Sequence, residues 1–303
     1  MKTRKNSTRN KITAIFGLIM LFWTPAGLIA QDAPSNLDEL IRQAQEAGID
    51  QAQLQTLQSR AAAAGLSQAE TAMLLRPALT MAERNLPHEM VFDKAFEGLS
   101  KRIPAQRMVP VLQQMTGHAQ EAAAFVDPWI ERPAVQQAIS RREGGMDRAV
   151  FRREMVRAGA KGLSQQFDRD VLESTLDAVG TESIMNRTTP GGIIMAINVL
   201  SDLPEAAQLP AESARVILQA LESGFDAGQM QRLPAAMNMA QRRSQLPAQA
   251  VAEGLNRQLQ GGMPASQVLQ NLFNGEIGAG PPGNIPPGLE RGRPDRGQGP
   301  PNN

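Results

Sequence analysis

GIDQAQ at residues 48–53, GLSQAE at 65–70 and GFDAGQ at 224–229 follow one pattern: glycine, an apolar residue, Asp or Ser, two further residues, then Gln or Glu. Glycine ends a helix readily because it adopts the left-handed backbone conformation without the steric penalty of a Cβ. Asp or Ser then caps the next helix, and Gln or Glu three residues later completes a capping box. The pattern predicts that one helix stops and the next begins within about three residues.

A second pattern places an apolar residue directly before proline. Proline is accepted in the first turn of a helix, because the amide that it lacks would have no intrahelical partner there. We therefore expect helices to begin near six dipeptides: Leu86-Pro87, Ile103-Pro104, Leu209-Pro210, Leu233-Pro234, Leu246-Pro247 and Met263-Pro264.

The two patterns recur at regular spacings. Leu246-Pro247 lies 17 residues before Met263-Pro264 and 37 residues after Leu209-Pro210, with GFDAGQ dividing the longer interval. We infer a two-helix unit of about 37 residues, since repeats of this size usually form stacked units that share one core. Chance similarity within a chain rich in Ala, Gln and Leu is the alternative.

The composition of residues 31–275 favours helix throughout. Ala, Gln, Leu, Glu, Arg and Met dominate, and runs of alternating Val, Ile and Thr are absent. We expect an all-α, solenoid- or bundle-like array of short antiparallel helical hairpins, in two groups at residues 31–122 and 146–275. Residues 123–145, which contain two prolines and a Gly-Gly pair, are predicted to connect the groups.

The two ends of the chain differ from this helical part. Residues 1–30 carry five basic residues and no acidic residue, followed by an apolar stretch and Ala30, which is typical of a secretory signal peptide. An uncleaved membrane anchor is the alternative. Residues 276–303 contain seven Pro and seven Gly, which predicts a disordered tail. The signal predicts export to the periplasm or the medium.

Charge and cysteine content exclude several classes of protein. Without residues 1–30, the 31 basic residues fall to 26 against 30 acidic residues, a formal charge of −4. An exported, mildly acidic protein is not expected to bind nucleic acid. Because the chain has no Cys, it has no disulfide, thiolate nucleophile or Cys-ligated metal.

The region of residues 86–104 resembles a short helical repeat of uncharacterised bacterial envelope proteins, whose pattern is roughly GLP…K..EGL.KG.P. Asn85 and Arg102 replace two glycines of that pattern. The resemblance covers about 20 residues and implies helical repeats in an envelope protein, with no activity or site residues. The matching residues are Leu86, Pro87, Lys94, Glu97, Gly98, Leu99, Lys101 and Pro104.

No motif for catalysis, a cofactor or a metal is present in the sequence. His88 is followed by Glu89, but Phe92 stands where a zinc motif needs its second His. Glu143 and Asp147 are four residues apart, without the aromatic residues that usually flank a glycosidase cleft. We therefore predict a protein that is not an enzyme and has no cofactor. A wall-polymer-cleaving enzyme with a carboxylate outside any motif, or a structural protein without a ligand, are the alternatives.

One local excess of positive charge occurs between residues 131 and 161, with eight basic and four acidic residues. On a helix that begins near Gly145, Arg148 and Arg152 share a face, with Arg153 and Arg157 beside it. These four residues are called the arginine strip below.

A solvated helix face is the simplest interpretation of the arginine strip. The functional interpretation is a docking surface for an anionic partner, because guanidinium groups match phosphate and carboxylate. We therefore expect an exported helical scaffold or adaptor that binds an envelope protein or an anionic cell-surface polymer. It would meet a membrane only through an uncleaved signal.

Overall fold

The computed structural model describes residues 37–141, 145–206 and 208–277, and within these ranges the chain forms helices and no strands. This confirms the all-α class. The predicted signal peptide and residues 278–303 of the predicted tail lie outside the described residues. The helices are α1 (Leu37–Glu46), α2 (Gln51–Ala63), α3 (Gln68–Glu83), α4 (Glu89–Ser100), α5 (Ala105–Ile130), α6 (Pro133–Ile139), α7 (Arg148–Ser164), α8 (Arg169–Val179), α9 (Glu182–Met185), α10 (Pro190–Leu200), α11 (Pro210–Glu222), α12 (Ala227–Ser244), α13 (Ala248–Gln260) and α14 (Ala265–Asn274).

Many turns between consecutive helices share one geometry. Gly48, Gly65 and Gly224 adopt left-handed φ angles of 88°, 77° and 79°, which confirms the helix ends predicted from their pattern. The next residue is apolar, and its amide donates to the carbonyl five residues earlier, as in a Schellman helix end. This hydrogen bond is 2.9 to 3.2 Å long at seven turns of the described ranges, where the donors are Ile49, Leu66, Leu86, Ile103, Phe167, Phe225 and Met263.

Three of these turns have a residue other than glycine at the left-handed position. Asn85, Arg102 and Gln166 adopt φ angles of 53°, 54° and 65°. The glycine pattern misses these turns because they contain no glycine. A residue with a Cβ can adopt the left-handed conformation at a cost of roughly 1–2 kcal/mol, which the contacts of the turn can offset. The structure therefore uses the predicted type of turn more often than its glycines indicate.

The polar residues after the glycines cap the following helices. Ser67 Oγ accepts from the Glu70 amide at 3.2 Å, and Glu70 Oε2 accepts from the Ser67 amide at 2.9 Å. Asp226 and Gln229 form a second capping box of the same kind. Asp50 accepts a hydrogen bond from the amide two residues further on, without the reciprocal bond of a full box.

Proline stands at or just before a helix start at five of the six predicted positions. The prediction for Leu233-Pro234 is wrong, because Pro234 lies inside α12. No left-handed residue directly precedes this dipeptide, and the helix continues through Pro234 although proline lacks the amide hydrogen of a normal helical residue. The five prolines at starts are Pro87, Pro104, Pro210, Pro247 and Pro264.

The helices pack in two rows. In the first row, each helix packs on the next in the order α1, α3, α5, α7, α10, α12 and α14. In the chain, at least one other helix lies between any two neighbours of this row. In the second row, α2 packs on α4, while α11 packs on both α8 and α13. Alternation between rows follows from the short turns, because each turn reverses the chain into the opposite row.

Three contacts between neighbouring helices of one row join residues that are 36 or 37 positions apart, whereas ion pairs between the antiparallel helices α5 and α7 join residues 17 and 25 positions apart. Gln106 Nε2 on α5 donates to Glu70 Oε1 on α3 at 3.0 Å. The Arg60 guanidinium on α2 lies 4.7 Å from the centre of the Phe96 ring on α4. Lys161 on α7 likewise donates to a carbonyl 37 residues further on, in α10. At these three places the offset equals the length of chain between neighbouring helices of one row.

Helix α5 extends through the predicted start of the connector. Residues 123–145 comprise its last turns, α6 and part of the segment before α7. The C-terminal half of α5 packs antiparallel on α7, with Asp127 near Arg152 and Ala122 near Gly159. A Cβ on Gly159 would lie 3.1 Å from that of Ala122, so glycine allows the close approach of the two helices.

The folded part extends two residues into the predicted tail. Gln258 Nε2 donates to the Glu276 carbonyl at 3.0 Å, and Ile277 is buried against Gly254. The expectation of disorder from residue 276 onward is therefore corrected for Glu276 and Ile277. Composition alone did not separate them from the Pro- and Gly-rich sequence that follows.

We expect Gly65→Ala to lower the free energy of unfolding by about 1 kcal/mol, because the left-handed φ penalises a Cβ. No atom lies within 4 Å of the added Cβ, so sterics with neighbours do not contribute. Gln166→Gly should raise it by a similar amount. Gly117→Ala is the control, since Gly117 lies inside α5 with open space around it and alanine there should stabilise. Thermal melts followed by circular dichroism measure the stability of all three variants. If Gly65→Ala and Gly117→Ala changed the free energy of unfolding in the same direction, the turn geometry would be contradicted.

We expect Ile277→Ala to lower the free energy of unfolding by about 2 kcal/mol, as for other large-to-small changes in a core. Leu289→Ala, in the Pro- and Gly-rich sequence, should leave stability unchanged. Denaturant unfolding measures both variants. Equal stability of the two would show that residue 277 does not belong to the core.

Candidate functional site

The arginine strip lies on α7, where Asp147 caps the helix. Asp147 Oδ1 accepts a hydrogen bond from the Val150 amide at 3.0 Å. The carboxylate that the sequence paired with Glu143 therefore has a structural role, and Glu143 itself lies outside the described residues.

Arg152 is the most strongly held member of the strip. Its Nε and Nη2 donate to the two oxygens of Asp127 on α5 at 2.6 and 2.9 Å, and its Nη1 donates to the carbonyl of Asn85 at 2.6 Å. The hydrogen bonds to Asp127 raise the pKa of Arg152. Arg152 thus fastens α7 to α5 and to the turn between α3 and α4.

Arg148 and Arg157 also pair with carboxylates of the chain. Arg148 forms an ion pair with Glu131, next to the C-terminal end of α5. Arg157 lies 3.5 Å from Glu89 on α4 and 3.9 Å from Glu154, and its buried Nε has no hydrogen-bond partner among the described residues. Both side chains therefore contribute to the packing of α7 on its neighbours.

Arg153 differs from the other three arginines. It is half-buried, and in the described ranges it forms neither an ion pair nor a side-chain hydrogen bond. The structure thus divides the arginine strip into three residues that hold α7 in place and one whose guanidinium group is left for solvent or a partner.

A cavity of about 290 Å³ lies between the C-terminal half of α5 and the helix α8. The sequence does not reveal this cavity, because its walls are distant in the chain: Trp129 Nε1 donates to the carbonyl of Leu176, 47 residues away, at 2.6 Å. Pro128 inside α5 was the available signal, since a mid-helix proline alters the local backbone hydrogen bonding. The cavity is lined by Ala124, Phe125, Pro128, Trp129, Arg132, Arg169, Glu173, Leu176 and Asp177.

A second groove, of about 280 Å³, runs between α3 and α5. Met73, with 37% of its surface exposed, Pro77 and Val109 form its apolar part, and Gln113 and Thr116 add polar groups. It lies within the first row, away from the arginine strip on α7. The groove has fewer charged side chains than the α5–α8 cavity.

The two histidines are not close to a set of metal ligands. His88 precedes α4 and its ring meets that of Phe92 edge-on, with the centres 6.2 Å apart. His118 is half-buried on α5, and its Nδ1 has no hydrogen-bond partner in the described part. Among the described residues, no three His, Asp or Glu side chains are grouped as a metal would require.

No family model, no curated protein and no solved structure matches the chain. In the three described ranges, no helix has the length and apolar character to span a membrane.

Arg152→Ala should lower the free energy of unfolding by about 1–2 kcal/mol, because it leaves Asp127 and the Asn85 carbonyl without their donors. Arg153→Ala should change it by less than about 0.5 kcal/mol, as expected for a residue without such contacts. A double-mutant cycle of Arg152 and Asp127 at low and high salt isolates the pair, whose coupling we expect to be about 1 kcal/mol after solvent screening. A coupling near zero would contradict the role given to Arg152.

Proposed function

We propose that the chain is an exported, non-enzymatic helical scaffold or adaptor, built from two-helix units of about 37 residues. The contacts of Gln106 with Glu70 and of Lys161 with Asn198, which join residues 36 and 37 positions apart within the first row, support this unit, since stacked repeats place equivalent positions of successive units side by side. Such arrays present long rows of side chains, and their usual function is to bind other macromolecules. This offset is the observation that carries the proposal.

The proposed partner is an envelope protein or an anionic cell-surface polymer, bound on α7. Support comes from Arg153, which forms no ion pair with the described residues, and from Arg148, which lies five residues earlier on the helix and whose side chain is 53% exposed while it pairs with Glu131. A guanidinium without an internal acceptor can pair with phosphate or carboxylate of a partner without breaking a contact of the fold. Export rests on the sequence of residues 1–30.

Arg153→Glu should reduce recovery of the partner about threefold to tenfold, because it reverses charge at the proposed contact. The measurement is a cross-linking pull-down from intact cells, together with co-sedimentation on purified cell walls at low salt. Arg107→Glu is the control, since Arg107 is an exposed arginine that lies in the first turn of α5 and not on α7.

Arg152→Glu is unsuitable for this experiment, because it would place a carboxylate against Asp127 and destabilise the fold. Equal recovery with Arg153→Glu, Arg107→Glu and the unchanged protein would reject α7 as the docking surface.

A fall in the turbidity of purified walls on incubation with the protein would instead contradict the non-enzymatic part of the proposal.

A further inference from the structure

The cavity between α5 and α8, called the α5–α8 pocket below, has the features of a small-molecule site. It is formed where the C-terminal half of α5 meets α8, and its volume of about 290 Å³ is near the lower end for ligand pockets. It suits a molecule of the size of one or two amino acids. None of the residues of the arginine strip lines it.

The floor of the pocket is apolar and fixed. Trp129 is 2% exposed, donates to the Leu176 carbonyl at 2.6 Å and stacks on Phe151 of α7, with ring centres 6.2 Å apart. Phe125 is buried beside it on α5, one turn earlier. Because these rings are held by their own contacts, the small part of each ring that faces the pocket is preformed, and little ordering would be required.

The rim of the pocket carries both signs of charge. Arg132 Nη2 lies 2.5 Å from Asp177 Oδ1, and Arg169 Nε lies 2.6 Å from Glu173 Oε1. Hydrogen bonding to Glu173 raises the pKa of Arg169. All four side chains are between 38% and 61% exposed. Exposed pairs of this kind contribute little to stability, so they can exchange partners with a charged ligand at small cost.

Pro128 adds a hydrogen-bond acceptor to the wall. In a helix the amide of residue 128 would donate to the carbonyl of Ala124, but proline has no amide hydrogen. Ala124 and Pro128 both line the pocket. The carbonyl of Ala124, a residue of the pocket wall, therefore lacks its usual helical donor.

We infer that the α5–α8 pocket binds a small zwitterion, an amino acid or dipeptide with an apolar side chain. The ligand's ammonium group matches the carboxylates and the Ala124 carbonyl, its carboxylate matches the guanidinium groups, and its side chain matches the aromatic floor. A ligand with a single charge could pair only with the guanidinium groups or only with the carboxylates of the rim. The rim groups of the other sign would then lose their ion-pair partners without gaining new ones. This inference goes beyond the scaffold function, since it concerns a different surface and a different class of ligand.

Fluorescence of Trp129 reports on the pocket directly. The chain has two tryptophans, and a full-length Trp23→Phe variant leaves Trp129 as the single emitter. L-Leucine is the probe. Its matched controls are 4-methylpentanoate, which lacks the ammonium group, and 3-methylbutylamine, which lacks the carboxylate. Saturation-transfer NMR of the same mixtures detects binding that leaves the fluorescence unchanged.

We expect saturable binding of leucine and at least about tenfold weaker binding of both controls, since each loses charge-assisted hydrogen bonds. Arg169→Ala and Asp177→Asn should each weaken leucine binding about tenfold without changing the melting temperature. Arg215→Ala removes a comparable exposed pair on α11 and should have no effect. Absence of both signals up to about 10 mM leucine, where a ligand of even millimolar affinity is bound, or equal binding of leucine and one control, would overturn the inference.

Discussion

The hydrogen bond across each short turn is the constraint on which the arrangement of helices depends. The left-handed residue reverses the chain, and the apolar residue after it donates back into the last turn of the finished helix. That apolar residue also enters the core: Ile49 is 3% exposed and Phe225 is 2% exposed. One residue therefore ends a helix, fixes the direction of the next and contributes to the packing between rows.

Sequence could predict these turns where glycine marks them, and it failed where other residues adopt the same conformation. A left-handed φ at Arg102 or Gln166 is stabilised by the turn around it, which a single sequence does not display. Pro234 shows the opposite error: the dipeptide resembles real helix starts, but no left-handed residue precedes it. Four of the other five dipeptides directly follow a left-handed residue, namely Asn85, Arg102, Gln245 or Gly262, so the two signals together predict a start better than proline alone.

The sequence predicted which residues of the candidate site share a face of one helix, but not which residues of other helices they contact. Spacing correctly placed Arg148 and Arg152 on one face of α7, four residues apart. Their acceptors, Glu131 and Asp127, have the same separation near the C-terminal end of α5, and antiparallel packing brings the two pairs into register. That register depends on Gly159 and other close contacts between α5 and α7, so the sequence showed the arginines without showing what neutralises them.

Three consecutive residues of α5 link the two proposed binding surfaces. Asp127 holds Arg152 of α7, whereas Pro128 and Trp129 line the α5–α8 pocket. Trp129 also stacks on Phe151, which precedes Arg152 in the chain. One turn of α5 therefore contributes both to the packing of α7 and to the wall of the pocket, because its successive side chains point to different sides of the helix.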